Sequence, residues 1–138
     1  MPTDSQAPFA DLLVARSLEA SLTVRDLATS VEWYRGVLGF TIAREYRREE
    51  RLVAVALESG GVELLVVQDD GAKGSDRVKG EGFSLQITTI QDIDELAAHI
   101  KVRGGVLETE PIAMAGKRGF RLRDPDGFRF AISSPRQA

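Results

Sequence analysis

Along this chain the apolar positions switch between a period of two and a period near 3.6, and they do so twice in the same order. Residues 19–24 (EASLTV) and 85–90 (LQITTI) alternate, and each predicts a short strand. Asp26 and Asp92 follow, at positions where a carboxylate caps an opening helix. Residues 29–37 then carry Val31 and Tyr34, with Leu38 just beyond, at helical spacing, and residues 93–103 carry Leu96 and Ile100. Both stretches predict helices, with Gly39 and Gly105 placed to end them in a left-handed conformation. Alternation returns over residues 41–46, 52–59 and 62–68 in the first half and over 106–108, 119–123 and 128–133 in the second. Gly60-Gly61 and Asp124-Pro125-Asp126-Gly127 supply the hairpin turns.

The two halves superimpose at one offset. Val24 matches Ile90, Asp26 matches Asp92, Leu27 matches Ile93, Val31 matches Ala97, Tyr34 matches Ile100 and Gly39 matches Gly105, each 66 residues apart (92 − 26 = 66). The chain therefore reads as two copies of one βαβββ unit, residues 18–68 and 82–135. Residues 1–17 form an N-terminal extension, and residues 69–81, rich in Gly, Asp and Lys, form an aperiodic linker. A single unit leaves one sheet face uncovered. The expected fold is α+β, with the two units forming a cupped mixed sheet, helices on the outer faces and a concave surface between the units for a small ligand.

Composition narrows the partners. The 18 Lys and Arg are outnumbered by 21 Asp and Glu, a net charge of −3, which argues against nucleic acid. No apolar run approaches the ~18 residues of a membrane span, and the first sixteen residues lack the basic-then-apolar order of a signal peptide, so the expectation is a cytoplasmic protein with no membrane partner. The chain has no cysteine, and hence no disulfide, thiol nucleophile or Zn–thiolate site. Its one histidine, His99, lies in the second predicted helix, where a lone imidazole makes a poor metal site and no Ser–His–Asp arrangement is available.

Paired βαβββ units, the segment TVRDLATSVEWYRGVLGF and the C-terminal RDPDGFRFAI together resemble the vicinal oxygen chelate superfamily, which includes glyoxalase I, extradiol dioxygenases and the fosfomycin and bleomycin resistance proteins. The resemblance covers residues 17–135 as one domain. It implies a homodimer and, in the metal-dependent members, two ligands from each half: one seven residues before the Asp at the strand–helix turn, the other four residues after the turn Gly on the last strand. Carried over, these positions hold Glu19, Leu85 and Ala131, and the fourth is open between Glu63 and Leu65. Leucine and alanine donate nothing to a cation. The expectation is accordingly no metal and no cofactor.

The candidate ligand-binding residues are Glu19, Glu63, Arg121, Arg129, Thr23, Thr89 and Ser133. Glu19 and Glu63 suit a cationic ligand group, or a general base if desolvated. Arg121 and Arg129 suit a carboxylate or phosphate, and the three hydroxyls share strand parity with Glu19, Leu85 and Ala131. Trp33 and Tyr34 read as core aromatics, the charged run 44–51 as a solvated hairpin connection, and residues 73–81 as a flap. The leading expectation is a metal-free protein binding a small organic, cationic ligand, like the drug-sequestering resistance proteins. The alternative is a small-molecule lyase, isomerase or dioxygenase, metal-dependent or using Glu19 or Glu63 as base; these two are the catalytic candidates.

Overall fold

The computed structural model describes residues 12–74 and 77–136. Of the N-terminal extension, residues 1–11 lie outside the described residues, and residues 12–19 run exposed without regular secondary structure. The elements in chain order are β1 Ala20–Val24, α1 Leu27–Gly36, β2 Thr41–Arg48, β3 Arg51–Ser59, β4 Val62–Gln68, β5 Leu85–Thr88, α2 Ile93–Val102, β6 Leu107–Met114, β7 Lys117–Arg123 and β8 Arg129–Ser133. They form two four-stranded sheets, ordered β1-β4-β3-β2 and β5-β8-β7-β6. In each, the first pair is parallel and the others antiparallel. Each half is thus a βαβββ unit with a mixed sheet, as the repeat predicts. No helix among the described residues is long and apolar enough to cross a membrane.

The repeat extends to fine detail at the helices and departs from it at their ends. Their starts lie 66 residues apart (93 − 27 = 66). Asp92 caps α2 by accepting from the Glu95 amide at 2.9 Å, whereas the Asp26 carboxylate accepts from the Thr29 hydroxyl and caps no backbone amide. The left-handed residue after α2 is Gly104 (φ +100°), not Gly105. Gly105 instead answers to space: a Cβ there would stand 2.5 Å from Ile100 Cγ2 and 2.9 Å from Val37 Cγ1, where the ends of the two helices meet.

The charged run 44–51 is not a connection. Arg44 to Arg48 continue β2, Glu49 and Glu50 make the turn with positive φ, and Arg51 opens β3. Charged residues persist there because β2 is an edge strand, where charge also discourages further strand pairing. The other edge strand, β6, likewise outruns its predicted length.

Alternation buries one face of each sheet, and those two faces share one core. Leu22, Val24, Leu64 and Val66 from the first sheet meet Phe120, Leu122, Phe130 and Ile132 from the second, with Tyr34 of α1 between them. The Tyr34 ring makes edge contacts at 5.8 Å with both Phe40 and Phe130. Its hydroxyl donates to Asp124 Oδ2 at 2.6 Å, while Asp124 Oδ1 accepts from the amides of Asp126 (2.9 Å) and Phe128 (2.8 Å). The Asp-Pro-Asp-Gly turn of the second unit is thereby tied to the helix of the first. Trp33 packs partly buried against the same core.

The helices therefore cover one face of each sheet, as the pattern requires, but in one chain the two covered faces meet. The open faces are turned away from each other rather than toward a common cavity.

Replacing Tyr34 by Phe leaves Asp124 Oδ2 buried without its donor. Chemical denaturation should show a loss of about 1–3 kcal/mol; a loss below about 0.5 kcal/mol would remove this bond from the account. Burial holds Asp124 above its ordinary 3.8, so its contribution to stability is greatest below that value and declines as pH rises through the raised folded-state value. In Asp124→Asn that decline should vanish from a stability profile measured across the acidic range.

Candidate functional site

Strand register assigns every side chain of the two open faces. In the first sheet Ser21 lies beside Leu65 and Thr23 beside Val67, while Ala56 faces Leu65 and Glu58 faces Glu63. Glu19 is exposed at the entrance of β1, one residue before Ala20, whose partner is Leu64, and so stands level with Glu63. Glu63 and Leu65 thus share the open face, and Glu63 is the neighbour of Glu19.

An arginine that the sequence reading left in a loop completes this face. A register shift between Ile42 and Arg44 sets the Arg44 side chain over β3, where Ala56 is too small to obstruct it. Arg44 donates through Nε to the Tyr46 hydroxyl at 2.8 Å and through Nη2 to Glu63 Oε1 at 2.6 Å. These two bonds, first to Tyr46 and then to Glu63, hold the guanidinium charged well above its ordinary range. Glu63 is therefore a paired carboxylate, while Glu19 has no such partner among the described residues. The signal for Arg44 and Tyr46 was present in the alternation of small residues at Ala54 and Ala56.

In the second sheet Gln86 pairs with Ala131 and Thr88 with Ser133, and Arg121 lies opposite Ala131. Arg121, Arg123 and Arg129 are exposed on this face, and Arg123 donates to Glu108 at 2.7 Å. Ser133 is buried beside Gly119, where a Cβ would come within 2.8 Å of the Ser133 Cβ.

Of the predicted residues, then, Glu19, Thr23 and Glu63 share the first open face, and Arg121, Arg129 and Ser133 share the second. Thr89 joins neither. It lies past β5, its amide donating to the Ser133 carbonyl at 2.9 Å and its hydroxyl to Gln91 Oε1 at 3.0 Å. Leu85 is also displaced from its expected position: it pairs with Phe130 and packs on the helix side, so the open-face neighbour of Ala131 is Gln86. The slip arises because four residues (89–92) separate β5 from α2, against two (25–26) between β1 and α1.

This donor set does not fit the divalent metal that the resemblance implies. Ala131 carries no donor, Leu85 lies on the wrong face, Gln86 offers a neutral amide, and Glu63 is engaged by a guanidinium. Among the described residues no group of three or more His, Cys, Asp or Glu side chains is arranged to hold a metal ion.

The linker covers one end of the first open face. A cleft of about 560 Å³ lies between its residues and the sheet, with Ser21, Thr23 and Val67 on one side and Lys79, Phe83 and Phe128 on the other. Lys79, only 8 % exposed, donates to Asp69 Oδ2 at 2.7 Å, and Arg25 Nη2 donates to the Arg77 carbonyl at 2.7 Å. The Lys79 bond, reinforced by the Gly71 amide, holds Asp69 below its ordinary 3.8. That attachment is complete above the unfolded value and is lost only as pH falls through the depressed one. Lys79→Ala should speed hydrogen exchange at the Asp69 and Gly71 amides while leaving Phe120 unchanged; equal protection in both proteins would mean that the ion pair does not hold the linker.

Comparison with known proteins places this geometry. The family model described as Glyoxalase/Bleomycin resistance protein/Dioxygenase superfamily matches residues 16–132. The chain is 28 % identical over 130 residues to a probable lactoylglutathione lyase of Vibrio cholerae, covering 89 % of this chain and 93 % of that one. Among solved structures it is similar to a member of the same superfamily from Sphaerobacter thermophilus (TM-score 0.72, 22 % identity, 88 % of this chain and 98 % of that one). It is also similar to a glyoxylase/bleomycin resistance protein/dioxygenase domain from Frankia (TM-score 0.70, 22 % identity, 91 % and 96 %).

Proposed function

Because the chain belongs to the Glyoxalase/Bleomycin resistance protein/Dioxygenase superfamily, we propose that it binds a small organic molecule on its open sheet faces without a metal ion, and that a second copy of the chain closes the cup. The observation that carries this reading is the charge of the two faces. Glu19, Glu58 and Glu63 stand on the first, and Arg121, Arg123 and Arg129 on the second. Laying the second sheet of one copy over the first sheet of another brings opposite charges together, and a two-fold axis repeats the contact and closes the assembly at two chains. A cationic ligand group then has Glu19 at hand, and an anionic group has Arg121 and Arg129. The partners are a small molecule and a second copy, with neither nucleic acid nor membrane; a cysteine-free chain gains nothing from an oxidising compartment, and we assign it to the cytoplasm.

The similarity to a probable lactoylglutathione lyase favours a second reading, in which the same cup is catalytic. Glu19 is then the base, because Glu63 is held by Arg44.

Light scattering on the full chain should give about 30 kDa, twice 15.1 kDa, falling to the single-chain mass when Arg121 and Arg129 are both changed to Glu. A monomeric native protein would overturn the shared cup. In thermal melts with a panel of cationic aromatic drugs including bleomycin, at least one saturating compound should raise the midpoint by about 3 °C or more; no response across the panel would count against sequestration. Lactoylglutathione lyase activity that disappears in Glu19→Gln, with ligand binding retained, would establish the second reading in its place.

A further inference from the structure

Away from both open faces, a partly enclosed cavity of about 250 Å³ lies at the seam between the two units. The first unit contributes Leu38 and Phe40 after α1, together with the β3–β4 turn from Ser59 to Val62. The second contributes Ile87, Ile132 and the α2 residues Leu96 and Ile100. Polar groups enter at Ser59, Thr88, Thr89 and Gln91, and no ionisable side chain lines the space.

This wall chemistry selects its occupant. A charged group drawn into the cavity would shed water and meet no counter-charge, a cost of several kcal/mol. An apolar body loses nothing of the kind; a dry cavity of about 150 Å³ accepts a benzene-sized molecule, and this one is larger. Hydrogen bonding is polarised as well. The Thr89 hydroxyl accepts from the Gln91 amide at 3.2 Å and donates to Gln91 Oε1 at 3.0 Å, which fixes the carboxamide. Gln91 Oε1 is thereby engaged, while the carboxamide NH2 has no protein acceptor among the described residues and remains available as a donor.

We propose that the seam cavity is a second binding site, separate from the open faces, for a small uncharged molecule with a single ring or branched apolar body and one hydrogen-bond acceptor oxygen placed to meet Gln91. Thr89, which the sequence groups with the open-face hydroxyls, belongs to this site as the residue that orients Gln91.

The test uses the full chain with labelled Ile, Leu and Val methyl groups, titrated with three probes of one shape: benzyl alcohol, benzoate and benzylammonium. Benzyl alcohol should give saturable shifts at Ile87, Ile100 and Ile132, with Kd in the millimolar range that so few atoms allow. The two charged probes should bind at least tenfold more weakly there. Ser59→Trp, an exposed rim position, should abolish the shifts by filling the cavity, and Gln91→Leu should weaken benzyl alcohol about fivefold while leaving toluene unchanged. The proposal fails if benzyl alcohol moves only Leu65 and Val67 on the open face, if the charged probes bind equally well, or if both variants bind like the native chain. None of these results bears on the charge-paired cup, whose test is the oligomeric mass.

Discussion

The hydrogen bond from the Tyr34 hydroxyl to Asp124, buried where the first helix meets the second sheet, is the contact on which the arrangement of the whole chain turns. It joins residues ninety positions apart, and it does so inside a core to which both sheets contribute. A carboxylate there is tolerated only because two backbone amides and a phenol occupy its oxygens. Burial also holds the Tyr34 phenol protonated, so it remains a donor at any physiological pH. With the helix-covered faces locked together in this way, the opposite faces of the two sheets have no partner within the chain, and that is the source of its chemistry.

Much of this fold is written in local patterns. The 66-residue offset, the capping Asp92 and the Asp-Pro-Asp-Gly turn are each enforced by nearby backbone chemistry, and the elements fall where those signals put them. What periodicity does not carry is the identity of the surface that each face meets. Alternation in LTV and FRFAI marks a buried side and an exposed side, but it is equally compatible with buried sides that meet each other and with exposed sides that do. Register suffers in the same manner. Leu85 sits on the covered face because the connection after β5 is two residues longer than its counterpart, and in a strand one position is enough to exchange the faces. Arg44 was hidden by its company: a run of charged residues reads as solvent-exposed loop until an edge strand and two alanines on its neighbour give one of them a path across the sheet.

The candidate site shows what remains when a ligand-bearing scaffold holds different side chains at its donor positions. Ala131 and Gln86 stand side by side where a charged or imidazole donor would be needed. On the other sheet, Glu63 is bound to a guanidinium that a metal would have to displace. The result is a pair of surfaces of opposite charge, one acidic and one basic, suited to salt bridges with a partner or a polar ligand rather than to coordination. Separately, the seam cavity lies on the covered side and owes nothing to this charge pattern.

The account rests most heavily on the claim that these open faces do not coordinate a divalent ion, and calorimetric titration of Zn²⁺, Ni²⁺ and Mn²⁺ into chelator-treated native protein measures this directly. It predicts no saturable heat for any of the three at micromolar concentrations. One equivalent per chain bound in that range, and lost in Glu19→Gln, would contradict it.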